Sequence, residues 1–121
     1  MVTHGDRERP RANAVFRALA DPTRRSLLGL LRQGPQSVGE LASHFRTSRP
    51  AISRHLRALR QAGLVEARRA GTSRICRLTP APLHAVREWL NDYEAFWGAS
   101  LAGLKRYLEQ LPPEQFADDT P

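Results

Sequence analysis

The sequence predicts a mainly α-helical chain with one small β-hairpin and a long C-terminal helix. Three observations carry that expectation. Helix-start signals stand ahead of apolar residues at helical spacing at Asp21-Pro22, at Ser37 with Glu40, and at Thr47-Ser48. Around Ala70-Gly71 the pattern changes to short β-compatible runs. Apolar residues then return at intervals of three and four from Leu83 to Leu108, with no proline before Pro112. At 121 residues the chain suits one domain with one modest core.

Residues 1–10 are polar and end on Pro10, as expected of a flexible N-terminus. Ala12, Val15, Phe16 and Leu19 mark a short first helix from Arg11. Asp21 is an N-cap followed by proline at the first helical position. Leu27, Leu28, Leu30 and Leu31 give the second helix its buried side, and Gly34-Pro35 ends it. Ser37 and Glu40 have the spacing of a capping box, in which each side chain satisfies the other's free backbone amide. Val38, Leu41, Ala42 and Phe45 face inward from the third helix.

Arg46-Thr47-Ser48 makes a compact turn into the fourth helix, where Pro50 is tolerated in the first turn. At about 100° per residue, Ile52, Leu56 and Leu59 lie within an arc of about 60° and form its core stripe. Gly63 is a C-cap candidate. Runs 65–69 and 72–78 form the hairpin, and Thr79-Pro80 opens the last helix. Over positions 83–110 that helix would span about 42 Å. Short helices, a compact turn joining two of them, then a hairpin predict a winged helix-turn-helix. Residues 11–79 form the winged unit, 80–111 a C-terminal dimerisation helix, and 112–121 a flexible tail.

Charge separates the chain into two parts. Residues 1–79 hold 16 arginines and five acids, a balance of +11, whereas residues 80–121 hold three basic residues and seven acids, a balance of −4. Between 46 and 77 nine arginines face Glu66 alone. Genome base content accounts for an arginine-rich composition but not for the clustering, which implies a polyanion-binding half. No apolar run approaches 18 residues and no h-region follows Met1, so neither a membrane span nor a secretory signal is expected. A lone cysteine, Cys76, fits a reducing cytoplasm.

Opposite the core stripe of the fourth helix lie Pro50, Arg54, Arg57 and Gln61, with Ser53 and Arg60 on the flank. The planar fork of arginine pairs with guanine O6 and N7 or clamps a phosphate. A recognition helix docks by its N-terminal residues, so Ser48, Arg49, Ser53 and Arg54 are placed to reach base edges, and Arg57 and Arg60 to meet phosphates. His55, about 60° off the core stripe, suits either packing against a neighbouring helix or a phosphate contact. Arg68, Arg69, Arg74 and Arg77 decorate the hairpin, where they add affinity for backbone or minor groove without choosing sequence.

Three stretches carry a family resemblance: residues 18–28 (ALADPTRRSLL), 37–42 (SVGELA), and 48–59 (SRPAISRHLRAL) with 62–65 (AGLV). Together they resemble the ArsR/SmtB family of bacterial repressors over about residues 13–110. The resemblance implies a homodimeric winged-helix regulator of transcription, usually a repressor at a palindromic operator in double-stranded DNA. Metal-sensing members carry Cys-x-Cys at the start of the third helix; here the stretch is Ser37-Val38-Gly39. Their other common site uses His and Asp/Glu on the last helix, which here offers a single histidine, His84, near its start. The expectation is therefore the metal-free branch, with no metal site and no cofactor, and with no effector assigned. Trp89, Tyr93, Phe96 and Trp97 further resemble that branch.

Leu90, Tyr93, Trp97, Leu101, Leu104 and Leu108 suit packing against a second helix, so a homodimer is expected through them. The aromatics among them also admit a ligand pocket. Cys76 alternates with Leu78 on one strand face, as a small buried hydrophobe would, and a redox sensor is the other reading. Enzyme readings fail for want of parts: no Gly-rich phosphate loop, clustered carboxylate pair or Ser/His/Asp set appears. Against a winged-helix adaptor for a protein partner stands the arginine excess of residues 46–77. Against non-specific compaction stand the Pro50-braced helix and the dimerisation stretch.

Overall fold

The computed structural model describes residues 9–98 and 100–112. The remainder of the two expected flexible ends lies outside the described residues. Contacts divide the chain into two units, one ending at Val86 and the other starting at Arg87.

The first unit runs α1 (Arg9–Leu19), α2 (Pro22–Leu31), β1 (Gln36–Ser37), α3 (Val38–Ala42), α4 (Arg49–Gln61), β2 (Val65–Ala70) and β3 (Ser73–Leu78). A 3-10 turn at Ala81–Leu83 leads into α5 (His84–Asn91), which crosses into the second unit. The starts of α2, α3 and α4 are each made by the residue whose chemistry announces it. The Asp21 carboxylate accepts the Arg24 amide at 3.0 Å and Pro22 follows it. Ser37 and Glu40 form the reciprocal capping box, at 3.0 Å and 2.8 Å. Donation from the Ser37 backbone amide, and after it the nearby Ser37 hydroxyl, hold the Glu40 carboxyl below its ordinary range. Ser48 caps α4 by accepting the Ala51 amide at 3.2 Å.

The end of α4 is equally well defined. The Gly63 amide donates to Arg60 and the Leu64 amide to Leu59, both at 2.9 Å, while Gly63 takes a φ of 79°. This is a Schellman ending, with Leu59 and Leu64 both buried across it. The chain reverses again at Gly71, whose φ of 63° suits the first position of a two-residue hairpin turn. The turn is Gly71-Thr72, because Ala70 pairs with Ser73; it lies one residue beyond the expected Ala70-Gly71.

Sheet order is β1-β3-β2, antiparallel throughout. The two-residue β1 has no counterpart in the sequence expectation; it exists by pairing Gln36 with Cys76 and Ser37 with Ile75. The core gathers Val15, Ala18, Leu27, Leu31, Leu41, Ile52, Leu56, Leu59, Leu64, Val65 and Cys76. The mainly α winged helix-turn-helix is thus present as expected.

The expected continuous helix over 80–111 is not. After α5 the second unit makes a 3-10 turn at Glu94–Phe96, passes Gly98 at a left-handed φ of 77°, and restarts at Ser100 as α6 (Leu101–Gln110). Ser100 caps α6 by accepting the Gly103 amide at 2.9 Å. A β-carbon on Gly103 would overlap the Trp97 carbonyl oxygen, so this close approach requires glycine. Gly103→Ala therefore discriminates the two structures. In an uninterrupted helix it would stabilise by about 0.5–1 kcal/mol; in this fold it lowers stability, as thermal unfolding will measure.

Candidate nucleic-acid interface

The geometry of the candidate interface starts with the burial of one face of α4. Ile52, Leu56 and Leu59 are at most 3% exposed. A helix locked on that face must present the opposite one, and Pro50, Ser53, Arg54, Arg57 and Gln61 are all exposed. Arg49 is also exposed; its guanidinium lies 3.8 Å from where a β-carbon on Gly39 would stand. The Ser48 hydroxyl accepts a backbone amide in its cap and keeps its own proton to donate.

His55 sits half-buried, its Nδ1 3.7 Å from the Asp21 carboxylate that caps α2. The imidazole thus borders the packing between α2 and α4 rather than the outermost line of the helix.

Strand register sorts the wing arginines onto two faces. Arg69 and Arg74 are paired directly across the ladder, on the side shared by the Ala67–Cys76 pair. Arg68 and Arg77 belong to the other side, where Arg77 faces Glu66 and Arg68 faces Ile75. The first side closes on α4 to form a groove of about 240 Å³, lined by Arg49, Ser53 and Arg60 from the helix and by Arg69, Thr72 and Arg74 from the wing. Sequence periodicity placed Ser53 and Arg60 on the flank of α4 without indicating what they face. Thr72 was not singled out, since only closure of the hairpin brings it to the groove.

Cys76 is 1% exposed beneath the wing. Burial pushes its thiol up, against a smaller opposite pull from the charges of Arg60 and Arg74. Among the described residues no three His, Cys, Asp or Glu side chains gather as metal ligands. None of the described helices is long and apolar enough to cross a membrane.

In the second unit Trp89 and Tyr93 have ring centroids 5.0 Å apart, and Tyr93–Phe96 and Phe96–Tyr107 follow at 6.5 and 6.4 Å. Large apolar surface nevertheless stays open, with Trp89 50%, Phe96 61% and Leu101 70% exposed. Of the expected interface set, Tyr93, Leu101 and Leu108 are exposed, while Leu90, Trp97 and Leu104 are half-buried.

A capped helix fixed by its apolar stripe, entered through a compact turn and followed by an arginine-studded hairpin, defines a winged helix-turn-helix of the gene-regulatory kind. Residues 21–67 match the family described as bacterial regulatory protein, arsR family. The chain is 44% identical over 95 residues to the HTH-type transcriptional regulator Rv2034 of Mycobacterium tuberculosis, covering 78% of this chain and 86% of that protein. It is 38% identical over 81 residues to the transcriptional repressor SdpR of Bacillus subtilis, covering 67% of this chain and 90% of the relative. Among solved structures it resembles the homodimeric winged helix-turn-helix DNA-binding domain Mb0332 of Mycobacterium bovis, a possible ArsR-family transcriptional regulator. There the TM-score is 0.60 and the identity 30%, over 78% of this chain and 94% of that one. The chain belongs to the arsR family of bacterial regulatory proteins and is a transcriptional regulator.

The buried Cys76 gives the packing a direct check. At neutral pH the folded protein should react slowly with a disulfide reagent such as Ellman's, and reach the free-thiol rate only on unfolding in urea. Equal rates in both states would contradict the burial.

Proposed function

We propose that this chain is a homodimeric repressor, acting in the cytoplasm, that binds an inverted repeat in double-stranded DNA and does not take a metal as its signal. The observation that carries the reading is the exposed face of α4, cationic along its length and held outward by a buried apolar stripe. In this reading Ser48, Arg49, Ser53 and Arg54 meet base edges in the major groove. Arg57 and Arg60 meet phosphates. Pro50 fixes the first turn, and His55 supports the helix from its margin. Arg68, Arg69, Arg74 and Arg77 take the flanking backbone through the wing. Residues 11–79 are the DNA-binding part and 80–111 the dimerisation part.

Dimerisation is supported by the apolar surface open on the second unit and by the homodimeric Mb0332 domain. Repression is supported by the name of SdpR. Leu90, Tyr93, Trp97, Leu101, Leu104 and Leu108 form the dimer surface in this reading. A two-fold pair would set its recognition helices about 34 Å apart, one DNA turn, and so demand an inverted repeat. Against metal sensing, Ser37 and Gly39 supply no thiolate where sensing relatives would need one.

The test uses a duplex recovered by footprinting the protein across its own genome. Arg54→Ala should cost about 1–3 kcal/mol on that duplex and relax preference at one base position. Arg74→Ala should weaken recovered and random duplexes alike. Equal losses on both for Arg54→Ala would reassign Arg54 to phosphate. Leu104→Glu should give monomers that lose the recovered duplex with every α4 arginine intact, read by sedimentation and by fluorescence anisotropy; a full-affinity monomer would overturn the dimer.

A further inference from the structure

The groove between α4 and the wing has a make-up that backbone contacts to DNA leave unexplained. Its floor carries a small apolar patch, the part-exposed Val38 and Ala67, above the buried Leu56 and Cys76. Its rim is cationic, with Arg49 and Arg60 on one side and Arg69 and Arg74 on the other. No acidic side chain lines it, and among the described residues none of the four arginines has a carboxylate partner.

The pair Arg69–Arg74 is the second observation. These two stand directly opposite in the antiparallel ladder, where like charges destabilise the pairing. Among the described residues no carboxylate pairs with either of them, and an anion placed between them would offset that repulsion. A concave site with an apolar floor and a few convergent polar groups is the general layout of a small-molecule site. At roughly 30 Å³ per water, the groove has room for about eight waters, enough for a compact organic molecule. A DNA backbone offers charge to the rim but only the edges of its deoxyriboses to the floor. A small organic phosphate offers both.

We propose that this groove binds a small organic phosphate, its phosphate between Arg69 and Arg74 and its apolar body on Val38 and Ala67, in exclusion of DNA. The phosphate oxygens accept charge-assisted hydrogen bonds from the guanidinium forks. Ser53 and Thr72 have hydroxyls to complete the shell. Occupation also cancels positive charge at Arg49 and Arg60, so it opposes duplex docking by both volume and charge. The exclusion half rests on the DNA-binding reading above; the binding half does not.

Phenyl phosphate is the probe. Calorimetry on the full chain without DNA should give saturable binding at one molecule per chain, about tenfold tighter than inorganic phosphate at the same ionic strength. Arg69→Gln/Arg74→Gln should weaken it by about tenfold or more. Both positions are exposed, so the fold should be retained, as circular dichroism will verify. A charge-matched Arg32→Gln/Arg106→Gln variant should bind as the wild type does. Phenyl phosphate should then displace a labelled duplex from the wild type at constant ionic strength, where sodium chloride does not. Unsaturable heats, or binding that survives Arg69→Gln/Arg74→Gln, would overturn the site. Saturable binding with the duplex still held would overturn the exclusion. Saturable binding by a protein that takes up no duplex at all would support the groove and overturn the DNA reading instead.

Discussion

What the winged unit offers to a partner depends on the burial of Ile52, Leu56 and Leu59 on one side of α4. Each such side chain contributes about 1.5–3 kcal/mol on leaving water, so together they fix the rotation of the helix about its axis. That rotation decides which arginines are free. With the apolar line inward, Arg54 and Arg57 face solvent and Arg49, Ser53 and Arg60 face the wing. The Ser48 cap and the Gly63 ending set where the helix starts and stops, and therefore which residues occupy its N-terminal turn. Positioning here is a consequence of packing, and the charges are free because the core holds none of them.

The wing depends on the same core from the other side. Val65 and Cys76 are buried in it, so the strands are anchored at their base while the tip at Gly71 stays exposed. The short β1 adds a third strand beside β3 and ties the start of α3 to the hairpin. Helix and wing are then two walls on one floor. Their arginines gather around a shared groove although they are up to 25 positions apart in the chain, Arg49 to Arg74.

Much of this was legible in the residues because the signals are local. Asp21-Pro22, the Ser37–Glu40 box and Ser48 each act within one helical turn, and the structure uses all three as read. The apolar stripe of α4 was legible because its period survives burial. The interruption of the C-terminal segment was not, because apolar spacing from Leu83 to Leu108 runs on across it. Gly98 and Ser100 carried the contrary signal, a left-handed residue and an N-cap, and the regular spacing outweighed it. Strand β1 is too short to show a period, and the groove exists only once the hairpin closes on α4. Periodicity reports which face is covered; it does not report what lies across from it.

In the proposed complex the outward face of α4 and the wing meet duplex DNA while the core and α6 stay clear. Amide chemical shifts of the labelled protein, followed as a duplex is added, test it most directly. The largest changes should fall within residues 48–61 and 65–78, with those of 101–110 small. Amides of α4 that hold still while those of α6 move would contradict it.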